Sequence, residues 1–371
     1  MPSLNFHINK LSINNFRNLT TTELNTSKQF NIFYGNNGSG KTSILEAINY
    51  MSVGKSFRTS AFQRIIQHNQ QEFQIFLQTT RKSKLNSLGL SKNLDGSRNI
   101  HINGEKERSA AALAQHLPVI FIDTHSYRYF HDGPKLRRSF MDFGLFHVEQ
   151  SFHSHWKKLQ SVLRQRNASL KQGLSYNNVS IWDEDLVFHS NTIDQLRSSY
   201  LSLLRPLLDK LLQELLGDLG KFSLNYNRGW SFEEDIGSLL KNGYFQDRRY
   251  GATQNGPHRA DLSLECNGLP VKDVLSQGQQ KIASYVLYLA QGLLMSEKMG
   301  IAPIFLIDDL PSELDSQRSS QLIEILIKLD SQIFITGIKK RDLLDWEKSS
   351  SSAMFHVEHG CIKLECSEAI I

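Results

Sequence analysis

Cysteine is scarce in this chain: Cys266, Cys361 and Cys366 are the only three in 371 residues. They are too few and too scattered for a disulfide framework, and they share no metal-ligand spacing with histidines, so a cross-linked secreted scaffold is excluded. Long apolar runs are missing as well. No stretch approaches the roughly 20 residues a membrane span requires, and the polar segment Met1–Lys10 lacks the apolar core of a signal peptide. The expectation is a cytoplasmic protein with no membrane partner. Acidic residues are locally absent too. None occurs between Glu149 and Asp183, where Lys157, Lys158, Arg164, Arg166 and Lys171 lie. Between Glu46 and Glu72 the charged side chains are Lys55, Arg58 and Arg64 alone. A net charge of +5 is mild, but local basic surfaces are the electrostatic footprint of a polyanion partner. The same charges would equally serve solubility.

What the sequence does contain is organised around Phe30–Met51. Phe30, Ile32 and Phe33 read as the end of a strand. Gly35-Asn36-Asn37-Gly38-Ser39-Gly40-Lys41-Thr42-Ser43 follows, then a helical stripe of Ile44, Ala47, Ile48 and Met51. Strand, G-x-x-x-x-G-K-[ST] and helix in this order predict a phosphate-binding loop. Its N–H groups would converge on phosphate oxygens at a helix N-terminus. Lys41 is placed to neutralise the β- and γ-phosphates of ATP, and the Thr42 hydroxyl to ligate Mg²⁺.

A chain this long is expected to form two lobes. Phe6, Ile8, Leu11, Ile13 and Leu24 point to β-structure before the loop, and Phe73–Leu77 and Asn99–Ile102 to short strands after it. An antiparallel patch beside the loop is therefore expected, and Val119–Ile122 reads as a buried strand. Beyond Gly133-Pro134 the pattern turns helical. Phe152, Trp156, Leu159, Leu163 and Leu170 fall on one arc, and Lys157, Arg164 and Lys171 repeat every seven residues beside it. That second stripe is either a DNA-contacting ladder or a set of aliphatic stems shielding the seam. Leu186, Ile193, Leu196, Tyr200, Leu203 and Leu207 make a heptad-like seam on a second helix, with Pro206 expected to kink or restart it. The two helices would form an antiparallel hairpin, an arm inserted into the head. Later come a loop at Gly251–Asp261 and a strand carrying Leu262, Leu264 and Cys266. Ser276-Gln277-Gly278-Gln279-Gln280 then opens a helix, with Ser276 as N-cap and Gln279 at the third helical position. Ile304–Ile307 and Ile333–Ile335 read as buried parallel strands, Ser349–Ser352 as a loop, and Met354–Gly360 as a last strand and turn.

Three separated elements point to one kind of site. The loop would hold phosphates, and Asp308, at the end of an apolar strand, would complete the metal site with Thr42. The helix at Ser276, Gly278 and Gln279 offers N–H groups and a hydroxyl suited to a γ-phosphate. Asp309 is the candidate to orient water, and Ser312-Glu313-Leu314-Asp315 follows. This is the order of an ABC-type ATPase: Walker A, signature, Walker B, D-loop. In that architecture the signature serine closes over ATP held by the other subunit, giving an ATP-dependent homodimer. The expected fold class is α/β, an ABC-type P-loop head with a mixed sheet and antiparallel patch. Its parts would be residues 1–125 and 256–371, with a helical lobe at 126–255.

The helical insertion separates this chain from transporter subunits, which resemble the head alone, and aligns it with the DNA-maintenance branch that includes the SMC proteins. Within that branch the chain resembles the RecF family over almost its whole length. The resemblance is carried by N-F-R-N at Asn15–Asn18, G-N-N-G-S-G-K-T-S-I-L-E-A at Gly35–Ala47 and G-K-S-F-R at Gly54–Arg58. It continues with G-P-K-L-R-R at Gly133–Arg138, G-P-H-R at Gly256–Arg259, S-Q-G-Q-Q at Ser276–Gln280, D-D-L-P-S-E-L-D at Asp308–Asp315 and F-H-V-E-H-G at Phe355–Gly360. The resemblance implies an ATP-dependent DNA-binding protein of recombinational repair, acting at gapped DNA or at junctions of single- and double-stranded DNA. It also implies RecR and RecO as partners, loading of RecA, replication restart and SOS induction. Two departures stand out. Thr124-His125 occupies the place of the Q-loop, and Thr336 follows Ile335 where transporters carry a switch histidine. A transporter subunit, an OLD-type ATPase nuclease and an inert structural protein are the alternative readings. The nuclease would need a C-terminal acidic metal cluster, whereas the acids after Asp315 are scattered. An intact Lys41, Thr42 and Asp308-Asp309 argue against a decayed site.

Overall fold

Apolar runs short enough to be strands and bounded by turn residues become strands almost where they are expected. In the computed structural model, which describes residues 5–309, 316–347 and 351–365, Val119–Ile122 and Ile304–Ile307 are strands over their full length. The chain divides into two units, one of residues 1–126 with 295–371 and one of residues 127–294.

The first unit carries two sheets. One is six-stranded, with strand order Cys361–Glu365, Ser352–Glu358, Phe30–Tyr34, Ile333–Gly337, Ile304–Ile307 and Val119–Ile122. All its pairs are parallel except the terminal hairpin of Ser352–Glu358 with Cys361–Glu365. The central strands are buried along every residue, which is why they read as unbroken apolar runs. The other sheet is wholly antiparallel, in the order Leu19–Asn25, Phe6–Phe16, Glu72–Arg81, Lys84–Asn93, Arg98–Ile102 and Glu105–Glu107. It has one packed face and one wet one: Glu72–Arg81 alternates buried Phe73, Ile75, Leu77 and Thr79 with exposed residues. The helix Lys41–Val53 shares a core with both sheets, where Ile44, Ala47, Ile48 and Met51 meet Phe16, Phe73 and Phe334. The expected stripe is thus the packing face. Lys84–Asn93 escapes sequence reading because Asn, Ser, Lys and Gly89 interrupt its alternation.

The second unit is mostly helical. The helices Phe152–Lys171 and Asp183–Leu216 run antiparallel, since His155 meets His189 while Arg166 meets Asp183. Phe152, Leu159, Leu163 and Leu170 are buried as expected, and Lys157, Arg164 and Lys171 are exposed. The expected seam of the second helix is corrected in part. Leu203 is 43% exposed and Leu204 is buried instead; over several turns a 3.6-residue helix drifts off a strict seven-residue repeat. Pro206 does not restart the helix, which continues through it to Leu216. The expected lobe boundary at 255/256 is also corrected. Asp261–Cys266 pairs antiparallel with Phe222–Asn227, and Arg137 grips Asp261 through Nε at 2.6 Å and Nη2 at 3.0 Å. These ties keep 256–294 in the second unit, and the division falls inside the helix Gln277–Met299. Ser312–Asp315, Ser349, Ser350 and Cys366 lie outside the described residues.

Arg166 is no part of a basic surface. It is fully buried, with Nε on Asp183 at 2.8 Å and Nη1 on Asp247 at 2.7 Å and on Thr253 at 2.8 Å. Arg166→Ala would leave two largely buried carboxylates without their counter-ion. Denaturant unfolding is expected to register a loss of about 3–5 kcal/mol; a loss below 1 kcal/mol would mean the cluster is solvated.

Candidate nucleotide-binding site

Three adjacent parallel strands end at the same edge of the sheet and place the chemistry there. Phe30–Tyr34 runs into the glycine loop, Ile304–Ile307 into Asp308, and Ile333–Gly337 carries Thr336 at its end. The carboxyl ends of parallel strands are where α/β folds hold ligands. Gly35, Gly38 and Gly40 have φ of 150°, 79° and 122°, in the region that glycine enters without strain. A Cβ on Gly35 would collide with the carbonyl oxygen of Val357, and one on Gly40 would lie 3.1 Å from Nδ2 of Asn18. The loop is therefore backed by other segments. Asn18 Nδ2 donates to Gly38 O at 3.3 Å, while its Oδ1 accepts from Ser43 Oγ at 2.9 Å. From the last hairpin, Gly360 N–H donates to Ser39 O at 2.8 Å. Asn36, Asn37 and Gly38 are exposed at the loop's tip.

Lys41 is 4% exposed and donates to the loop's own carbonyls, Gly35 O at 2.8 Å and Asn36 O at 3.0 Å. Burial pulls its pKa below the ordinary lysine value, opposed by the charges of Asp309 and Asp308. Thr42 Oγ1 lies 3.1 Å from both carboxylate oxygens of Asp308. Thr336 Oγ1 donates to Asp308 Oδ1 at 2.6 Å and accepts from Asp309 N–H at 2.9 Å. Burial raises the Asp308 pKa above the ordinary carboxylate value and the charge of Asp309 adds to the rise, while the hydrogen bonds from Thr336 and Thr42 oppose it. Asp309 sits at φ 54°, a left-handed conformation uncommon outside glycine. One hydroxyl and one carboxylate converging beside a phosphate loop fit a magnesium ion, which takes few protein oxygens and completes its shell with phosphates and water.

A cleft of about 980 Å³ opens beside this group, lined among others by Arg17, Gly38, Lys41, Arg58, Arg64 and Asp309. Arg58 and Arg64, expected to meet DNA, therefore share a cleft with the phosphate loop. Lys55 is exposed and lines a neighbouring hollow with Lys92. Under the loop helix, Glu46 is fully buried and takes Arg17 at 2.6 Å and Arg58 at 3.7 Å. Ser276, Gly278 and Gln279 belong to the second unit. There Ser276 N–H donates to Gln279 Oε1 at 2.9 Å and Gln279 N–H to Ser276 Oγ at 3.3 Å, the reciprocal capping box expected for this helix. Both Ser276 and Gly278 are exposed.

Sequence reading missed two residues that organise the site. Thr336 had registered only as the absence of a histidine, although a polar residue ending an all-apolar strand was the signal. Asn18 stood within a quoted motif without a role.

A phosphate loop and an acid-tipped strand on a mixed sheet, with a helical insertion, define a P-loop ATPase head of the ABC type. The model of the RecF/RecN/SMC N terminal domain matches residues 7–363. The chain is 43% identical over 354 residues to the DNA replication and repair protein RecF of Coxiella burnetii (strain Dugway 5J108-111), covering 95% of this chain and 98% of that one. It is 38% identical over 355 residues to the protein of the same name from Shewanella woodyi, covering 96% and 97%. The chain belongs to the RecF family. Among solved structures, that of the recombination mediator protein RecF-ATP in the RecFOR pathway superposes with a TM-score of 0.87 at 26% identity, covering 98% of each chain. The Smc head domain from Pyrococcus furiosus shares the fold, with a TM-score of 0.59 at 13% identity over 97% of this chain and 96% of that one.

The backing of the loop by Gly360, at φ 79°, can be tested directly. A Cβ there would collide with the carbonyl oxygen of Asn18. Gly360→Ala is expected to cost roughly 1–3 kcal/mol in denaturant unfolding and to expose the loop amides of Gly38 and Ser39 to faster hydrogen exchange. Unchanged exchange at those amides would remove the hairpin from the site.

Proposed function

We propose that the chain is an ATP-binding, DNA-binding protein of recombinational repair and replication restart, acting in the cytoplasm. In this reading it is a slow ATPase that switches by dimerising on ATP. The observation that carries this is the convergence of Lys41, Thr42, Asp308 and Thr336 at one edge of the parallel sheet. Magnesium bound by Thr42 and Asp308 would neutralise charge on the β- and γ-phosphates. Lys41 would exchange the carbonyls of Gly35 and Asn36 for phosphate oxygens, and the N–H groups of residues 36–43 would surround the phosphates. Asp309 would orient the attacking water. A site with that shorter carboxylate suits slow turnover and a switch better than a motor.

Relatives named as DNA replication and repair proteins and a recombination mediator of the RecFOR pathway support the biological setting. By that kinship RecR and RecO are the proposed partners, RecA the recombinase to be loaded, and gapped or junction DNA the substrate, with SOS induction downstream. The exposed ladder of Lys157, Arg164 and Lys171 is the proposed DNA contact, with Lys55 as a further cation. Arg58 and Arg64 reach DNA in this reading only from the rim of the nucleotide cleft.

Lys41→Ala is expected to abolish hydrolysis and to weaken ATP binding, measured by calorimetry and phosphate release; turnover at the wild-type rate would sink the phosphate-loop assignment. Ser276→Arg should leave nucleotide binding by the monomer intact while blocking ATP-induced dimerisation in light scattering, and an unchanged dimer refutes the role of that serine. Replacing Lys157, Arg164 and Lys171 with Ala should weaken binding to every DNA sequence alike. It should also flatten the salt dependence by roughly 0.9 log units of slope per lost duplex phosphate contact. Wild-type affinity and slope would reduce the ladder to a solvated helix face.

A further inference from the structure

The short helix Tyr244–Tyr250, Y-F-Q-D-R-R-Y, is firmly held on one side and bare on the other. Its inner face carries Tyr244, whose hydroxyl donates to Leu174 O at 2.6 Å, and Asp247, 2.7 Å from Arg166. Its outer face places Phe245, Arg248 and Arg249 at i, i+3 and i+4, a single surface. Phe245 is 78% exposed and Tyr250 is 62% exposed. Placing two large rings in water is unfavourable by the area rule that buries most others. Lys241, Arg248 and Arg249 are also exposed, and the one carboxylate between residues 241 and 255, Asp247, is buried on Arg166. No carboxylate is paired with Lys241, Arg248 or Arg249 among the described residues.

This patch continues the basic ladder. The aliphatic stem of Lys171 lies against Gly251, where an added Cβ would be 3.0 Å from its Cγ, and the Arg248 guanidinium lies 3.3 Å from the corresponding position on Gly173. Arg248 and Arg249 thus flank the exposed ring of Phe245 on one helix face, next to the end of the ladder at Lys171, and the exposed ring of Tyr250 follows at the helix's C-terminal end.

We propose that Phe245, Tyr250, Arg248 and Arg249 form a binding surface for single-stranded DNA, the rings stacking on unpaired bases while the guanidinium groups take the phosphates. The inference rests on the DNA-binding reading above and specifies the strand and the contacts. Charge selects a polyanion, and the exposed rings select one whose bases are unstacked. A duplex offers phosphates but no free base face, so a purely cationic surface would suffice for it. The two rings are held by a helix whose other face is packed, which limits the ordering cost of binding.

The test compares the full-length wild-type protein with Phe245→Ala/Tyr250→Ala, Phe245→Trp and Arg248→Ala/Arg249→Ala. Each is titrated in the presence of ATP against fluorescein-labelled oligodeoxythymidylate and against a blunt duplex. Removing the rings is expected to weaken oligodeoxythymidylate binding about tenfold or more per stacked base. Its salt slope and the duplex affinity should stay as they are. Phe245→Trp, which keeps a stacking ring, should bind the oligomer at least as tightly as the wild type. Arg248→Ala/Arg249→Ala should flatten the single-strand salt slope by about 0.7 log units per lost contact. Wild-type affinity for the oligomer after removal of both rings, or an equal loss on the duplex, overturns the inference while leaving the DNA reading standing. If the wild-type protein binds neither DNA, that reading fails first. All four side chains are exposed, so unfolding curves should superimpose; a variant that unfolds early is replaced by Phe245→Ser.

Discussion

A carboxylate clamped between two hydroxyls sets the geometry of this molecule. Asp308 is held by Thr42 from the helix that follows the glycine loop and by Thr336 from the neighbouring strand. Thr336 is also bonded to the backbone of Asp309. One cluster therefore ties together the ends of three adjacent strands that lie far apart in the chain. The register of the parallel sheet is part of the clamp: Ile307 pairs with Ile335, and Ile335 with Ile32. A slip of one residue on any of the three would turn the functional side chains to the wrong face. The short apolar strands thus do more than fill the core, because their register aligns the acid, the hydroxyl and the loop.

Much of this is legible in the sequence. The glycine loop, its helix, the acid-tipped strand and the capping box all arise from local chemistry, in which a few consecutive residues state their own conformation. The residues that were not legible act across the fold. Thr336 matters because its strand lies between those of Phe30 and Asp308, and nothing near position 336 in the sequence says so. Gly360 supports the loop from the last hairpin through a single N–H. Charge was the least transferable signal. Lys157, Arg164 and Lys171 are exposed, as their spacing implied, yet Arg166 from the same acid-free stretch is fully buried on two aspartates that come from other segments. The absence of acids nearby in sequence says little about acids nearby in space.

Arginines in and around two of the quoted motifs act as braces. Arg137 holds Asp261, Arg138 donates to Ala260 O at 2.7 Å, and Arg197 joins Asp142 to Pro257 O. The shared G-P-K-L-R-R and G-P-H-R sequences therefore carry the junction of a helix, a turn and a strand. Within the second unit they anchor the segment that leads to Ser276. The first turn of the helix Gln277–Met299 is exposed, and there the capping box holds it, while Ile282, Val286 and Leu289 bury the turns that follow.

The electrostatics of the loop explain why this site would respond to a nucleotide. Lys41 is a buried cation satisfied by the loop's own carbonyls, and its desolvation is offset only in part by Asp308 and Asp309. Asp308 is a buried anion whose ionised form is disfavoured by the same burial and by Asp309. Each charge lacks a full counter-ion inside the loop. Phosphates would supply the anion that Lys41 lacks, and a divalent cation the positive charge that Asp308 lacks. Binding both together removes two desolvation penalties that neither removes alone. Thr42 lies between the two unmet charges, next to Lys41 in the chain and hydrogen-bonded to both carboxylate oxygens of Asp308.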